Sequence, residues 1–180
     1  MAEENKQGAF KEDTKPIYSL LHESERAAVI LAAAYIDSLL ERLLKTVLHP
    51  CAGGSDSLFD GDRALGTFSA KILISHRLGI IDSDFERAIQ TLRRIRNEFA
   101  HHVTDASLST GGHRDRLREL LRWAKRHHAF EKVYKQSRSQ WDHLTDEHLQ
   151  FVVCIMTMAA LLQRGYDELS RVDVGKPLGI

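Results

Sequence analysis

The stretch Ser83-Asp84-Phe85-Glu86-Arg87-Ala88-Ile89-Gln90-Thr91-Leu92-Arg93-Arg94-Ile95-Arg96-Asn97-Glu98-Phe99-Ala100-His101 decides the fold. Its apolar residues Phe85, Ala88, Ile89, Leu92, Ile95 and Phe99 recur at steps of three and four, the period of one helix face. Ser83, with Glu86 three residues on, has the capping-box pattern and predicts the start of that helix. A helix of this kind buries a single stripe and needs other elements to cover it.

Those elements are written on either side. From His22 to Leu48 the residues Val29, Ala32, Ala33, Ile36, Leu40, Leu43, Leu44 and Val47 keep to one face. Ile30, Leu31, Ala34 and Tyr35 make the first half apolar nearly all round, which predicts a central helix covered on more than one side. A shorter helix is predicted over 68–78, with Thr67 or Ser69 as N-cap and Gly79 taking a left-handed conformation at its end. Another is predicted over 113–125, with Leu117, Leu120, Leu121 and Ala124 inward. The last runs over 146–163, opened by Thr145, stapled by Leu144 and Leu149, and ended or loosened at Gly165. Residues 50–66 form a glycine-rich loop from which Leu58 and Phe59 pack back, and 104–112 form a second loop. Residues 127–143 receive no element, because their apolar positions are sparse and their charge is mostly positive. No run alternates like a strand. The expectation is an all-α, mainly antiparallel bundle of about five helices, with a flexible arm over 1–16, a single helical domain over 17–168 and a tail over 169–180.

The 180 residues fit one domain, and 25 basic residues balance 25 acidic ones, so any polyanion-binding surface must be local. Cys51 and Cys154 stand in no Cys-x-x-Cys pair and at no zinc-like spacing, so no disulfide framework and no metal are expected; Cys154 reads as core, Cys51 as a loop residue. The ten histidines form no His-Glu-x-x-His, and no cofactor-binding loop is present. The polar start Met1 to Gln7 has no apolar signal region, and no stretch reads as a membrane span. The expectation is a cytoplasmic protein with no membrane contact.

Three segments in order carry a resemblance. Gly61-Asp62-Arg63-Ala64-Leu65-Gly66-Thr67-Phe68-Ser69-Ala70-Lys71-Ile72, then Leu78-Gly79-Ile80-Ile81, then Ile95-Arg96-Asn97-Glu98-Phe99-Ala100-His101 resemble the mannitol operon repressor (MltR) family, over roughly residues 23–103 and including Tyr35-Ile36-Asp37. The resemblance implies an all-helical cytoplasmic regulator of transcription. The third segment also resembles the HEPN superfamily, whose hallmark is Arg, a polar residue and a following His near a helix end; Arg96, Asn97 and His101 fill it. That resemblance implies a metal-independent endoribonuclease working in a homodimer cleft. There His101 would move protons, Arg96 would stabilise phosphorane charge and Asn97 would orient the histidine, with His102 a competing candidate.

At about 100° per residue Asn97 and His101 share a side of the helix, while Arg96 and His101 point about 140° apart. Arg96 therefore borders the apolar stripe and is expected to need an acidic partner, for which Asp37 and Glu41 on the first long helix are the candidates. A helix-turn-helix mask fits Ile74, Leu78, Ile80, Phe85 and Ala88, but Asp82, Asp84 and Glu86 at the start of the second helix would be repelled by phosphate. The expected partners are a second copy, a protein in transcription control, or nucleic acid met by an atypical surface. The polyanion candidates are Arg114, Arg118, Arg122, Lys125 and Arg126, within a basic run that extends to Lys132, Lys135 and Arg138, with Tyr134 and Trp141 as stacking surfaces. The ordinary reading of such a run is a solvated helix face.

Overall fold

The computed structural model describes residues 15–51, 53, 56–101 and 106–175. Among them every regular element is helical: α1 (Lys15–Ser19) with a 3-10 turn at Leu20–His22, α2 (Glu25–Val47), a second 3-10 turn at Ser57–Phe59, α3 (Phe68–Arg77), α4 (Ser83–His101), α5 (Gly111–Ala124), α6 (Phe130–Gln140) and α7 (Asp146–Glu168). The all-α expectation holds. The arm expected over 1–16 lies outside the described residues up to position 14, and α1 already includes Lys15 and Pro16.

The apolar periods place the helices as a ridge-and-stripe argument demands. Ala28, Val29, Ala32, Ile36, Leu40 and Leu44 of α2 are fully covered, and so are Leu149, Phe151, Val152, Cys154, Ile155 and Met158 of α7. These two helices form the central pair, with α4 and α5 packed against them and each other. The core is one continuous cluster to which all seven helices except α6's outer turns contribute through residues such as Ile17, Ile72, Leu92, Leu120 and Phe130.

Chain direction departs from the expected antiparallel pattern at the centre. Thr145 Oγ1, at the start of α7, donates to Glu25 Oε1 at the start of α2 (3.2 Å). Beyond the far ends of both helices, Val172 N donates to Val47 O (2.8 Å). So α2 and α7 run parallel. Neighbours in sequence do alternate: Arg116 of α5 and Arg126, in the turn just past its end, reach Glu98 and Asp84 of α4 in reverse order.

Local chemistry explains most boundaries. Ser24, Thr67 and Thr145 accept the N–H groups of Ala27, Ala70 and His148 as N-caps, each at 3.2 Å. Gly79, at φ 72°, closes α3. The cap of α4 is Asp82, whose Oδ1 accepts from Phe85 N at 2.7 Å. Ser83 instead lies inside the helix with its hydroxyl 3.1 Å from His76 Nε2, so the capping box is replaced by a carboxylate cap one residue earlier. Residues 130–140, left without an element above, are helical because Phe130 is buried and Val133 and Tyr134 are half-covered beside it. Arg138 then ties off the following turn by donating to the carbonyls of Leu144 (2.7 Å) and Asp142 (3.2 Å).

Two features of α7 correct the sequence reading. It continues through Gly165 to Glu168, and Gly165 sits over Leu43, where an added Cβ would meet Leu169 Cδ1 at 3.4 Å and Leu43 Cδ2 at 3.5 Å, ordinary contact distances. Gly165→Ala is therefore expected to raise stability by about 0.5–1 kcal/mol through lost unfolded-state freedom, read as a higher denaturation midpoint. The helix is also long and apolar enough to cross a membrane by length and composition, which the sequence reading had denied to every stretch; half of that apolar window is buried inside the fold. Within it, burial pushes the Cys154 thiol well above its ordinary range, as a core residue requires, while Cys51 is exposed.

Candidate functional site

The helix end Arg96-Asn97-Glu98-Phe99-Ala100-His101 divides by direction. Phe99 and Ile95 are fully buried. Arg96 and His101 are exposed, and Asn97 is half-exposed. Arg96 Nη1 donates to Asn97 Oδ1 at 2.9 Å. His102, the competing histidine, lies outside the described residues.

Arg96 does not pair with Asp37 or Glu41. Those carboxylates take Lys71 of α3, whose Nζ lies 2.9 Å from Asp37 Oδ1 and 2.9 Å from Glu41 Oε2, with 5% of its side chain exposed. Glu41 Oε1 reaches on to Lys45 at 2.7 Å. The physical reason is position. Lys71 shares the inward side of α3 with Ile72 and Ser75, facing the acids of α2, whereas Arg96 stands far enough off the Ile95–Phe99 stripe to reach solvent. Burial alone would lower the Lys71 pKa, but its bonds and charge attraction to Glu41 and Asp37 outweigh that and raise it. Burial likewise works to raise Glu41, and Lys45 and Lys71 more than reverse it.

Glu98, within the motif, has a role the sequence did not reveal. It receives Arg116 on both oxygens, Nη1 to Oε2 at 2.7 Å and Nη2 to Oε1 at 2.6 Å, while His113 Nδ1 lies 3.0 Å from Oε2. His113 in turn stands edge-on to Phe99, ring centres 4.8 Å apart. The motif's carboxylate and phenyl thus bolt α5 onto the end of α4, and Arg116 is withdrawn from the basic run. No local spacing signals this pair, since Glu98 and Arg116 lie on different helices.

The start of α4 is closed as well. Asp84 accepts from Arg126 at 2.8 Å, and that guanidinium holds the Asp84 carboxyl below the usual carboxylate range. Phe85 stacks on Trp123, ring centres 5.0 Å apart. The end of α5 therefore packs on the segment that a helix-turn-helix would insert into a groove. Next to it a cleft of about 530 Å³ has Leu43, Phe85 and Trp123 among its walls and Arg126 and His127 at its edge. Burial, with Arg126 nearby, holds His127 below its ordinary pKa.

Of the basic candidates, Arg114, Arg118, Arg122, Lys125 and Arg126 are all exposed. The proposed stacking surfaces are not. Trp141 is half-buried with its ring edge-on to His22 at 4.8 Å, and Tyr134 donates to Asp146 at 3.3 Å beside Phe130. Among the described residues no group of His, Cys, Asp and Glu is gathered closely enough to hold a metal ion. Comparison with known protein families, with curated proteins and with solved structures finds no match to this chain.

Proposed function

We propose that the protein is a cytoplasmic, homodimeric regulator of transcription of the MltR type, with a HEPN-like helical arrangement, acting by binding rather than by chemistry. The observation that carries this reading is the division of α4's end into an inward half that fixes α5 (Glu98, Phe99) and an outward half, Arg96, Asn97 and His101, on open surface. Polar side chains displayed on a rigid, doubly anchored helix make a contact surface. The covered start of α4, with Asp84 held by Arg126, supports contact through something other than a helix-turn-helix. Removing the protein from its host is expected to raise transcripts of a sugar-alcohol uptake operon of the mannitol type. Unchanged transcripts on that carbon source would sink the reading.

One observation favours a second reading, a metal-independent endoribonuclease of HEPN type. Asn97 and His101 lie on the same outward side of α4, with Arg96 tied to Asn97, so a second copy docked here would bring two such sets into one cleft. Single-stranded RNA incubated with chelator present would then be cut by the wild type and spared by His101→Ala. Equal, background-level loss with both proteins is the outcome expected of the regulator.

A further inference from the structure

Charge that is balanced over the whole chain is unevenly placed on α4 and α5. A groove of about 320 Å³ between them is lined by Arg87 of α4, by Arg122 of α5 and by Arg126 just past its end, with Asp84 and Glu119. Asp84 is shared, at 2.8 Å from Arg126 and 3.4 Å from Arg87, so one carboxylate serves two guanidiniums. Among the described residues Arg118 has only its neighbour Asp115 as acidic partner, at 3.2 Å, both largely exposed. Arg94, Arg114 and Arg122 are exposed and, among the described residues, have no acidic partner in ion-pair range. Arg114, Arg118 and Arg122 of α5 follow one another at four-residue steps, about 6 Å along a helix, comparable to the interval between successive phosphates of a nucleic-acid strand, and Arg126 follows in the turn past the helix end.

We propose that this α4–α5 face docks on the phosphate backbone of duplex DNA without reading its sequence. The inference rests on the regulatory reading above and names its partner. Three features select this partner. Guanidinium forks match phosphate oxygens two at a time. The large apolar side chains exposed among the described residues, such as Leu31, Leu73 and Tyr166, all lie off α4 and α5, so the face lacks the apolar anchors on which protein interfaces depend. It also lacks a stacking platform for unpaired bases, because Trp123 is 7% exposed and covered by Phe85.

The test is fluorescence anisotropy of the full-length protein with a labelled DNA duplex of arbitrary sequence, titrated through a salt series. Wild type is expected to bind at low salt, equally to an unrelated duplex, and at least as tightly as to duplex RNA or the separated strands. Arg118→Gln/Arg122→Gln is expected to lower affinity about tenfold and to flatten the slope of log K against log salt by about 2. Arg63→Gln, on an exposed loop, should match wild type, and circular dichroism confirms that the variants are folded. No binding at low salt, a clear preference for RNA or single strands, or equal loss with Arg63→Gln would each overturn the proposal. A protein whose removal alters operon transcripts but which binds no duplex keeps the regulatory reading and loses this one.

Discussion

Lys71→Met is expected to lower the unfolding free energy by about 3 kcal/mol, the scale for stripping one partner from a buried charge cluster, reduced because the acids keep some solvent. Lys71 is 5% exposed along its side chain and neutralises Asp37 and Glu41, each 28% exposed. Without it two carboxylates face each other one helical turn apart, with Lys45 still 2.7 Å from Glu41. Urea unfolding at pH 7 measures the deficit. The pH dependence has a definite sign. The folded Glu41 pKa is lowered, so its contribution is present above its ordinary 4.5 and is lost as pH falls through the lower folded value. The Lys71 pKa is raised, so its contribution is present below its ordinary 10.5 and is lost as pH rises through the higher folded value. The gap between wild type and Lys71→Met is therefore widest near neutrality and narrows below about pH 4.5, where protonation relieves the unpaired acids. Adding Asp37→Asn and Glu41→Gln to Lys71→Met should recover most of the loss at pH 7. A variant as stable as wild type at pH 7 would show that the cluster contributes nothing net.

That cluster also shows where the sequence stops being legible. Helix periods are local, and they marked α2, α3, α4, α5 and α7 and the caps Thr67 and Thr145, because capping and stripe formation depend on residues within one turn. The α6 helix has a weak sequence signal because its apolar contacts come from little more than one turn, Phe130, Val133 and Tyr134, with Arg138 securing the end. The parallel course of α2 and α7 has no local signature, since both helices read the same in either direction. Ion pairing failed for a related reason. Asp37 and Glu41 were recognisable as acids seeking a cation, but the choice between Arg96 and Lys71 depends on how α3 and α4 lie against α2. At the candidate site, the outward side shared by Asn97 and His101 follows from helix geometry, whereas the Glu98–Arg116 clamp depends on α5 lying antiparallel to α4.

The same division of the motif predicts opposite outcomes for neighbouring substitutions. Phe99→Ala is expected to cost about 3–5 kcal/mol, because it removes a fully buried ring and leaves a cavity that rigid helices on several sides cannot close. It also removes the edge contact that holds His113 against Glu98, so the α4–α5 clamp loosens with it. His101→Ala, two residues away on exposed surface, should change stability by less than about 0.5 kcal/mol. Arg96→Ala gives up one bond to Asn97 in solvent and belongs with it. Thermal and urea unfolding of the three variants measures the contrast, and hydrogen exchange should show α5 opening more readily in Phe99→Ala. If Arg96→Ala or His101→Ala proved as destabilising as Phe99→Ala, those side chains would have to be structural. Their value to the protein would then lie in packing, and the outward half of the motif would no longer support a binding role.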